Sequence, residues 1–288
     1  MEIKKVAKIS GGQDGAIYGD MLFRFNEKGN CTVYNMASLL PNECGESAPI
    51  ARFVLDRAEE IKPHSNAVFF GCERYYPEDK YPILYTNIYN NYAKAEDKMI
   101  GVCCAYRIFE HEGGFGSELV QLIRIGFYDD EKLWRAYADR HGERPYGNFL
   151  IDRERGKYYA FVMRCEELGT RYFEFDIPSV HSGEIDPKLC VRCARLGAND
   201  IKGQFDCPYH RFIQGATAHG GRIYSTEGFT NSEINRPAIR IISPELGKEE
   251  RYIDLLGLGY AEEAELIDFY EGVCYYSDAV GNLYTIEF

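Results

Sequence analysis

Apolar and polar residues alternate with period two along most of this chain, in short runs broken by polar, Gly-bearing turns, the pattern of half-buried strands. One unit recurs. A polar residue or two precedes a short apolar strand, a Gly-containing turn leads to an aromatic strand, and a third strand alternates through a charged turn. Its clearest copies begin at Gly15-Ala16-Ile17-Tyr18, Gly215-Ala216-Thr217-Ala218 and Glu265-Leu266-Ile267-Asp268. Repetition of a strand–turn–strand unit predicts an all-β fold, a five-bladed β-propeller with four-stranded blades.

The strands expected in blade one are 15–18, 21–26, 31–35 and 50–55. Blade two takes 67–70, 83–89, 99–109 and 119–126. Blade three takes 147–152, 157–165, 170–176 and 189–196, and blade four takes 215–219, 222–226, 238–243 and 248–254. Blade five has only 267–270, 273–276 and 283–288 at the C-terminus. The N-terminal run 3–9 has no partner in blade one, so it is expected to complete the last blade, closing the ring and removing two exposed edges. Glu27-Lys28-Gly29-Asn30 and Asp278-Ala279-Val280-Gly281-Asn282 read as hairpin turns. One helix is expected over 129–142, between blades two and three. It is capped at Asp129 or Asp130, striped by Leu133, Trp134 and Tyr137, and ended by Gly142. Residues 1–288 are read as one domain.

Composition narrows the function classes. The 288 residues include 23 Tyr and 17 Phe, which favours strands. A formal net charge of −12 argues against non-specific binding to nucleic acid or to an anionic membrane. No apolar run is long enough to span a bilayer. Ten cysteines accompany an N-terminus, Met1-Glu2-Ile3-Lys4-Lys5-Val6, without the apolar core of a signal peptide. The expectation is a reducing cytoplasm with buried thiols; a trimmed export signal is the alternative.

Several segments carry a family likeness. His64-Ser65-Asn66, Asp206-Cys207-Pro208-Tyr209-His210, Ile213-Gln214-Gly215-Ala216, and Glu263-Ala264-Glu265 ahead of Asp268-Phe269-Tyr270 resemble a group of uncharacterised bacterial five-bladed propeller proteins. Ala264 departs from that pattern, which has Pro there. The resemblance covers the whole chain and implies a fold, not a reaction.

The inner strand of each propeller blade lines the central channel, and the loops leading into those strands form one face. The polar residues just before the expected inner strands are Gln13 and Asp14, His64 and Asn66, Tyr146 and Asn148, Gln214, and Glu263 and Glu265. Groups at equivalent places converge on one axis, as a site for a small polar ligand such as a carbohydrate or another metabolite needs. The same side chains also suit a solvated channel that satisfies loop amides. Two rival classes stand beside ligand binding. One is a hydrolase of glycosidase, lactonase or nucleotidase type that uses channel carboxylates. The other is a protein-interaction disc. A Ca2+ ion on the axis would draw on Glu263, Glu265, Asn66 and Asn148. Against a glycosidase, Glu263 and Glu265 lie two apart on one strand, a poor arrangement for flanking a sugar. No residue is assigned a catalytic role.

Cys190-Val191-Arg192-Cys193 followed by Cys207 and His210 has the spacing of a Zn2+ site. Against it, Cys190 and Cys193 fall in an expected strand, where residues three apart face opposite ways. Cys103 and Cys104 read as a structural pair on a strand. Gly114-Phe115-Gly116 joins two strands and opens no helix, so it is not a phosphate loop.

Overall fold

The computed structural model describes residues 1–39, 45–88, 102–126 and 149–288. Five small sheets form a ring, a five-bladed β-propeller. The chain starts in β1 (Glu2–Lys8). Blade one follows as β2 (Gly15–Tyr18), β3 (Met21–Phe25), β4 (Asn30–Asn35) and β5 (Ala51–Val54), paired in that order from the axis outward. Blade two contains β6 (Val68–Phe70), β7 (Leu84–Asn87), β8 (Val102–His111) and β9 (Gly114–Ile125). Blade three begins with β10 (Phe149–Asp152), β11 (Lys157–Cys165) and β12 (Gly169–Asp176). The expected helix over 129–142 lies outside the described residues.

The next segment departs from the sequence expectation. The sequence pattern places the run 189–196 at the outer edge of blade three. Instead β13 (Glu184–Ile185) and β14 (Arg192–Leu196) return to blade two, where β14 pairs in parallel with β9, making that sheet six-stranded. The outer strand of blade three is β15 (Gly203–Cys207). Cross-strand contacts decide the outcome. Phe205 stacks on Tyr172 with centroids 5.0 Å apart, and Asp206 receives two hydrogen bonds from its register partner Arg171, at 2.7 and 2.8 Å. Such pairs are the unit of sheet stabilisation. On β14, Ala194 and Leu196 are buried in the core, and the preceding turn is held by Arg124 against Asp186 at 3.1 Å.

Blade four comprises β16 (Ile213–His219), β17 (Arg222–Glu227), β18 (Ala238–Ser243) and β19 (Lys248–Asp254). Blade five comprises β20 (Ala264–Tyr270), β21 (Val273–Asp278) and β22 (Asn282–Glu287). β1 completes it, pairing antiparallel with β22 from Glu2 opposite Glu287 to Lys8 opposite Asn282. The N-terminal strand thus closes the ring, as its unpartnered pattern predicts.

Period-two alternation sends successive residues to opposite blade faces. Phe69, Tyr85, Cys103 and Ile123 of blade two pack toward Phe149, Tyr158 and Phe173 of blade three. Their neighbours Val68, Leu84, Cys104 and Leu122 pack toward Phe23, Phe25 and Val33 of blade one. Adjacent Cys103 and Cys104 therefore serve two different cores. All nine cysteines among the described residues are free thiols. Among the described residues, no helix is long and apolar enough to cross a membrane.

Near the axis the inner strands crowd together, and glycine permits it. A Cβ on Gly215 would sit 2.0 Å from the Glu265 carbonyl oxygen, and one on Gly15 would sit 2.7 Å from the Leu266 Cδ1. Side chains close the channel lower down. The space among Gly15, Val68, Thr217, Arg153 and Asp268 is about 10 Å3, room for roughly one water. Arg153 crosses this end, donating to the Ile17 carbonyl at 3.0 Å.

Candidate functional site

The opposite end of the channel, where the inner strands begin, is open. A cavity of about 410 Å3 is lined by Gln13, His64, Asn66, Met163, Phe212, Ile213, Gln214, Phe229, Glu263 and Glu265. Six of these are polar residues singled out from the sequence. Asp14 is not among the lining residues. It is fully buried, and its Oδ2 accepts the Val68 N–H at 2.9 Å, tying blade one to blade two. Burial pushes its carboxyl well above the ordinary value, against the pull of the Val68 and Gly15 amides and of Arg24. Tyr146 and Asn148 lie outside the described residues.

Backbone irregularities aim several of these side chains. The register of β20 on β21 slips between Ala264 and Leu266, leaving Glu265 as an extra residue. β16 slips at the equivalent place, between Ile213 and Gly215, leaving Gln214. In blade one, the Gln13 N–H donates to the Phe25 carbonyl while the Phe25 N–H donates to that of Asp14, so two residues again face one. Bulges of this kind re-aim a side chain and are common beside functional sites. Glu263 and Glu265, two apart in sequence, both line the cavity.

The polar wall is interlinked. Gln13 Nε2 donates to Glu265 Oε1 at 3.4 Å. Gln214 Nε2 donates to the Gly228 carbonyl at 3.1 Å and to Glu263 Oε1. Asn66 Oδ1 accepts from Asn87 Nδ2. Glu265 is 2 % exposed, and its Oε2 has no partner among the described residues. Burial, then the charge of Glu263, pushes its carboxyl up to about 8, with Arg24 pulling the other way. Glu263 is also raised by burial, offset by its bond from Gln214. Burial lowers His64 below the ordinary imidazole value, opposed by Glu27. Beneath the wall lies Arg24, buried, its Nη2 donating to the carbonyls of Gly12 at 2.9 Å and Asp278 at 3.1 Å.

Sequence reading missed the apolar rim formed by Met163, Phe212, Ile213 and Phe229. Phe212 and Phe229 meet with centroids 4.5 Å apart, brought together by the β16–β17 hairpin. Phe212 is 47 % exposed and holds φ at +62°. A bulky residue rarely adopts this left-handed conformation, and such strain concentrates at ligand clamps and active sites. The sequence signal for the rim was faint: two lone aromatics flanking one hairpin.

The residues with Zn2+-like spacing do not assemble. Cys190 is exposed in a turn at φ +55°, Cys193 lies on β14 of blade two, and Cys207 lies on β15 of blade three. His210 is buried, its Nδ1 3.4 Å from the Tyr172 hydroxyl. Among the described residues, no group of three or more His, Cys, Asp and Glu is arranged to hold a metal ion, at this place or at the cavity.

Comparison with known proteins gives likeness of fold. No protein-family model and no curated protein matches the chain. The crystal structure of Myxococcus xanthus glutaminyl cyclase superposes with a TM-score of 0.54 at 11% identity, covering 100% of this chain and 96% of that one. The β-propeller domain of Myceliophteria thermophila Cps50 (Swd1) gives 0.45 at 8% identity, covering 99% of each.

Proposed function

We propose that this propeller binds a small organic molecule in the cavity at its channel mouth. The carrying observation is the cavity itself. Its about 410 Å3 falls in the range of roughly 300–1,000 Å3 usual for small-molecule sites, and one side is polar while the other is aromatic. Three blades deliver polar groups to it on bulged or irregular strand starts, and a strained, exposed Phe212 stands at its rim. A carbohydrate or a metabolite of similar size fits these dimensions. The test is a thermal-shift screen of metabolites and oligosaccharides. A ligand of the native state raises the melting temperature, and Gln214→Ala or Phe212→Ala removes that shift. If no compound class shifts the protein, or the variants respond like the wild type, the reading fails.

A second reading, acid–base catalysis at the same site, draws on one observation. Glu265 is a buried carboxyl raised to about 8, so at neutral pH it holds a proton it is able to donate. Its neighbour Glu263 lies two residues away, just before the same strand, which fits a single proton donor better than a pair of carboxylates flanking a glycosidic bond. The fold neighbour named as a glutaminyl cyclase makes glutaminyl compounds a reasonable addition to the screen. Turnover of any hit, lost in Glu265→Gln, would establish this reading. Binding without turnover leaves the ligand-binding one.

A further inference from the structure

Two carboxyl groups, Glu263 and Glu265, share the cavity with an aromatic pair, and this bears on what it takes; the inference rests on the small-molecule reading above. Gln214 Nε2 commits its hydrogens to the Gly228 carbonyl and to Glu263, and Gln13 Nε2 commits one to Glu265. The Oε1 atoms of both glutamines accept nothing from the described residues. Glu265 Oε2 is buried and likewise has no partner among them. These residues offer a ligand the two glutamine oxygens, the Glu263 carboxylate and, once it ionises, the Glu265 carboxylate as acceptors, beside the uncommitted Nδ2 hydrogens of Asn66. Among the described residues, no Lys or Arg lines the cavity. Arg24 sits beneath the wall with Asp14, Asp278 and Glu265 all acting on it, so its single positive charge is shared among several acids. Opposite the carboxyls lie Phe212, Phe229 and Met163, a surface for an apolar body and, in the rings, a negative π-face. The chain's net charge of −12 draws cations toward such a mouth.

We propose that the site takes a primary amine cation bearing a compact apolar group, its ammonium on Glu265 and Glu263 and its apolar part against the Phe212–Phe229 pair. An ammonium has three donors and no acceptor, which matches the acceptors on offer. The proton balance is simple. In the empty cavity below about pH 8 the Glu265 carboxyl is protonated. When the ammonium arrives, the Glu265 O–H bond breaks, the proton leaves to solvent, and N–H···O⁻ hydrogen bonds form; no covalent bond to the ligand is made. The charged or titratable groups that bear on Glu265 are Glu263, just before its strand, and Arg24 on β3, with Asp14 and Asp278 acting through Arg24. His64 lines the same cavity, and burial keeps it neutral to a lower pH than usual.

The experiment is isothermal titration of the full chain with three matched probes, benzylamine, benzyl alcohol and benzoate, between pH 6 and pH 9. Benzylamine is expected to bind at least about tenfold more tightly than the alcohol or the acid at pH 8. Its affinity is expected to rise by roughly tenfold per pH unit up to about pH 8 and then level off, with about one proton released per ligand in buffers of different ionisation heat. Glu265→Gln should flatten that slope, and Glu263→Gln, at a less buried position, should weaken binding while keeping it. His64→Gln should leave the slope above pH 7 intact. If benzyl alcohol matches benzylamine, the amine class is wrong and the small-molecule site stands. If benzylamine binds without proton release, the role given to Glu265 is wrong. If none of the three binds but a neutral sugar or metabolite does, the amine class is again wrong. If nothing binds at all, this inference and the reading beneath it fall together.

Discussion

The Asp268 carboxylate accepts the backbone N–H of Ile17 at 2.6 Å, and this bond ties the last blade to the first. The same side chain accepts the Thr217 hydroxyl at 3.0 Å, reaching blade four, and the N–H of Phe269 at 2.8 Å. Asp14 makes the corresponding link from blade one to the Val68 N–H of blade two. Near the axis the blades are too close for large apolar side chains to pack between them, and buried carboxylates join them instead. Such acceptors hold only while every partner is satisfied.

Replacing Asp268 by Ala takes the acceptor from the Ile17 N–H and the Thr217 hydroxyl in a largely buried site. Each loses its only acceptor among the described residues. The expected cost is about 2–5 kcal/mol, summed over two unsatisfied groups. Urea unfolding monitored by tyrosine fluorescence measures it. Asp268→Asn keeps one acceptor oxygen and should cost less than the alanine. A variant as stable as the wild type would mean that water replaces the carboxylate.

The closing strand gives the second prediction. β1 covers the edge of β22, and just beyond it Ile9 is fully buried beside Ala7 in the core under blades one and five. Removing residues 1–10 exposes that edge and opens a hole in the core, so the shortened chain should aggregate or unfold. Light scattering and circular dichroism check this. An unchanged melting temperature would show that blade five stands on three strands.

Much of the fold was legible because each blade repeats the same local grammar: a polar approach, an apolar inner strand, then a Gly turn. The outer edge of blade three was not. Residues 189–196 and 203–207 both carry strand patterns, and what separates them is the stacking of Phe205 on Tyr172 and the pairing of Arg171 with Asp206, contacts that no spacing along the chain encodes. At the candidate site, the polar residues were visible because they precede inner strands. Gln13 and Asp14 nonetheless diverged, one reaching the cavity and the other the Val68 N–H of the neighbouring blade, at an irregular approach to the strand that spacing along the chain does not reveal. The Phe212–Phe229 contact needed the hairpin to be folded before it existed.

Phe212 supplies a prediction in which stability and binding move in opposite directions. Its left-handed backbone costs roughly 1–2 kcal/mol relative to glycine, and its exposed ring recovers little of that by burial. Phe212→Gly should therefore leave stability unchanged or raise it by up to about 1 kcal/mol. The same change should weaken any ligand that rests on the Phe212–Phe229 pair by about tenfold. Thermal melting and titration with a screening hit read the two effects separately. A loss of stability would show the ring to be part of the core rather than a feature of the mouth.

The pH dependence of stability should carry the signature of Glu265. Its native carboxyl titrates near 8, whereas an unfolded glutamate titrates near its ordinary value of 4.5. Between those values the native state holds a proton that the unfolded chain has lost, so the native state binds more protons and stability must fall as pH rises across the window. The loss is complete a little above pH 8 and amounts to about 2–4 kcal/mol once relaxation of the site is allowed for. Asp14 and Asp268, raised by burial, act in the same sense, beginning lower on the pH scale. His210 acts in the opposite sense. Buried and held well below its ordinary value by desolvation and by Arg240, it is neutral in the native state, so acid below about pH 6.5 favours the unfolded chain, which takes up the proton freely. Glu265→Gln removes one slope and leaves the others. Its stability relative to the wild type should therefore climb steadily from pH 5 to about pH 8 and stay constant beyond, as followed by urea midpoints at half-unit steps. A difference that does not vary with pH would mean that Glu265 is ionised in the folded protein, with Arg24 as its effective partner.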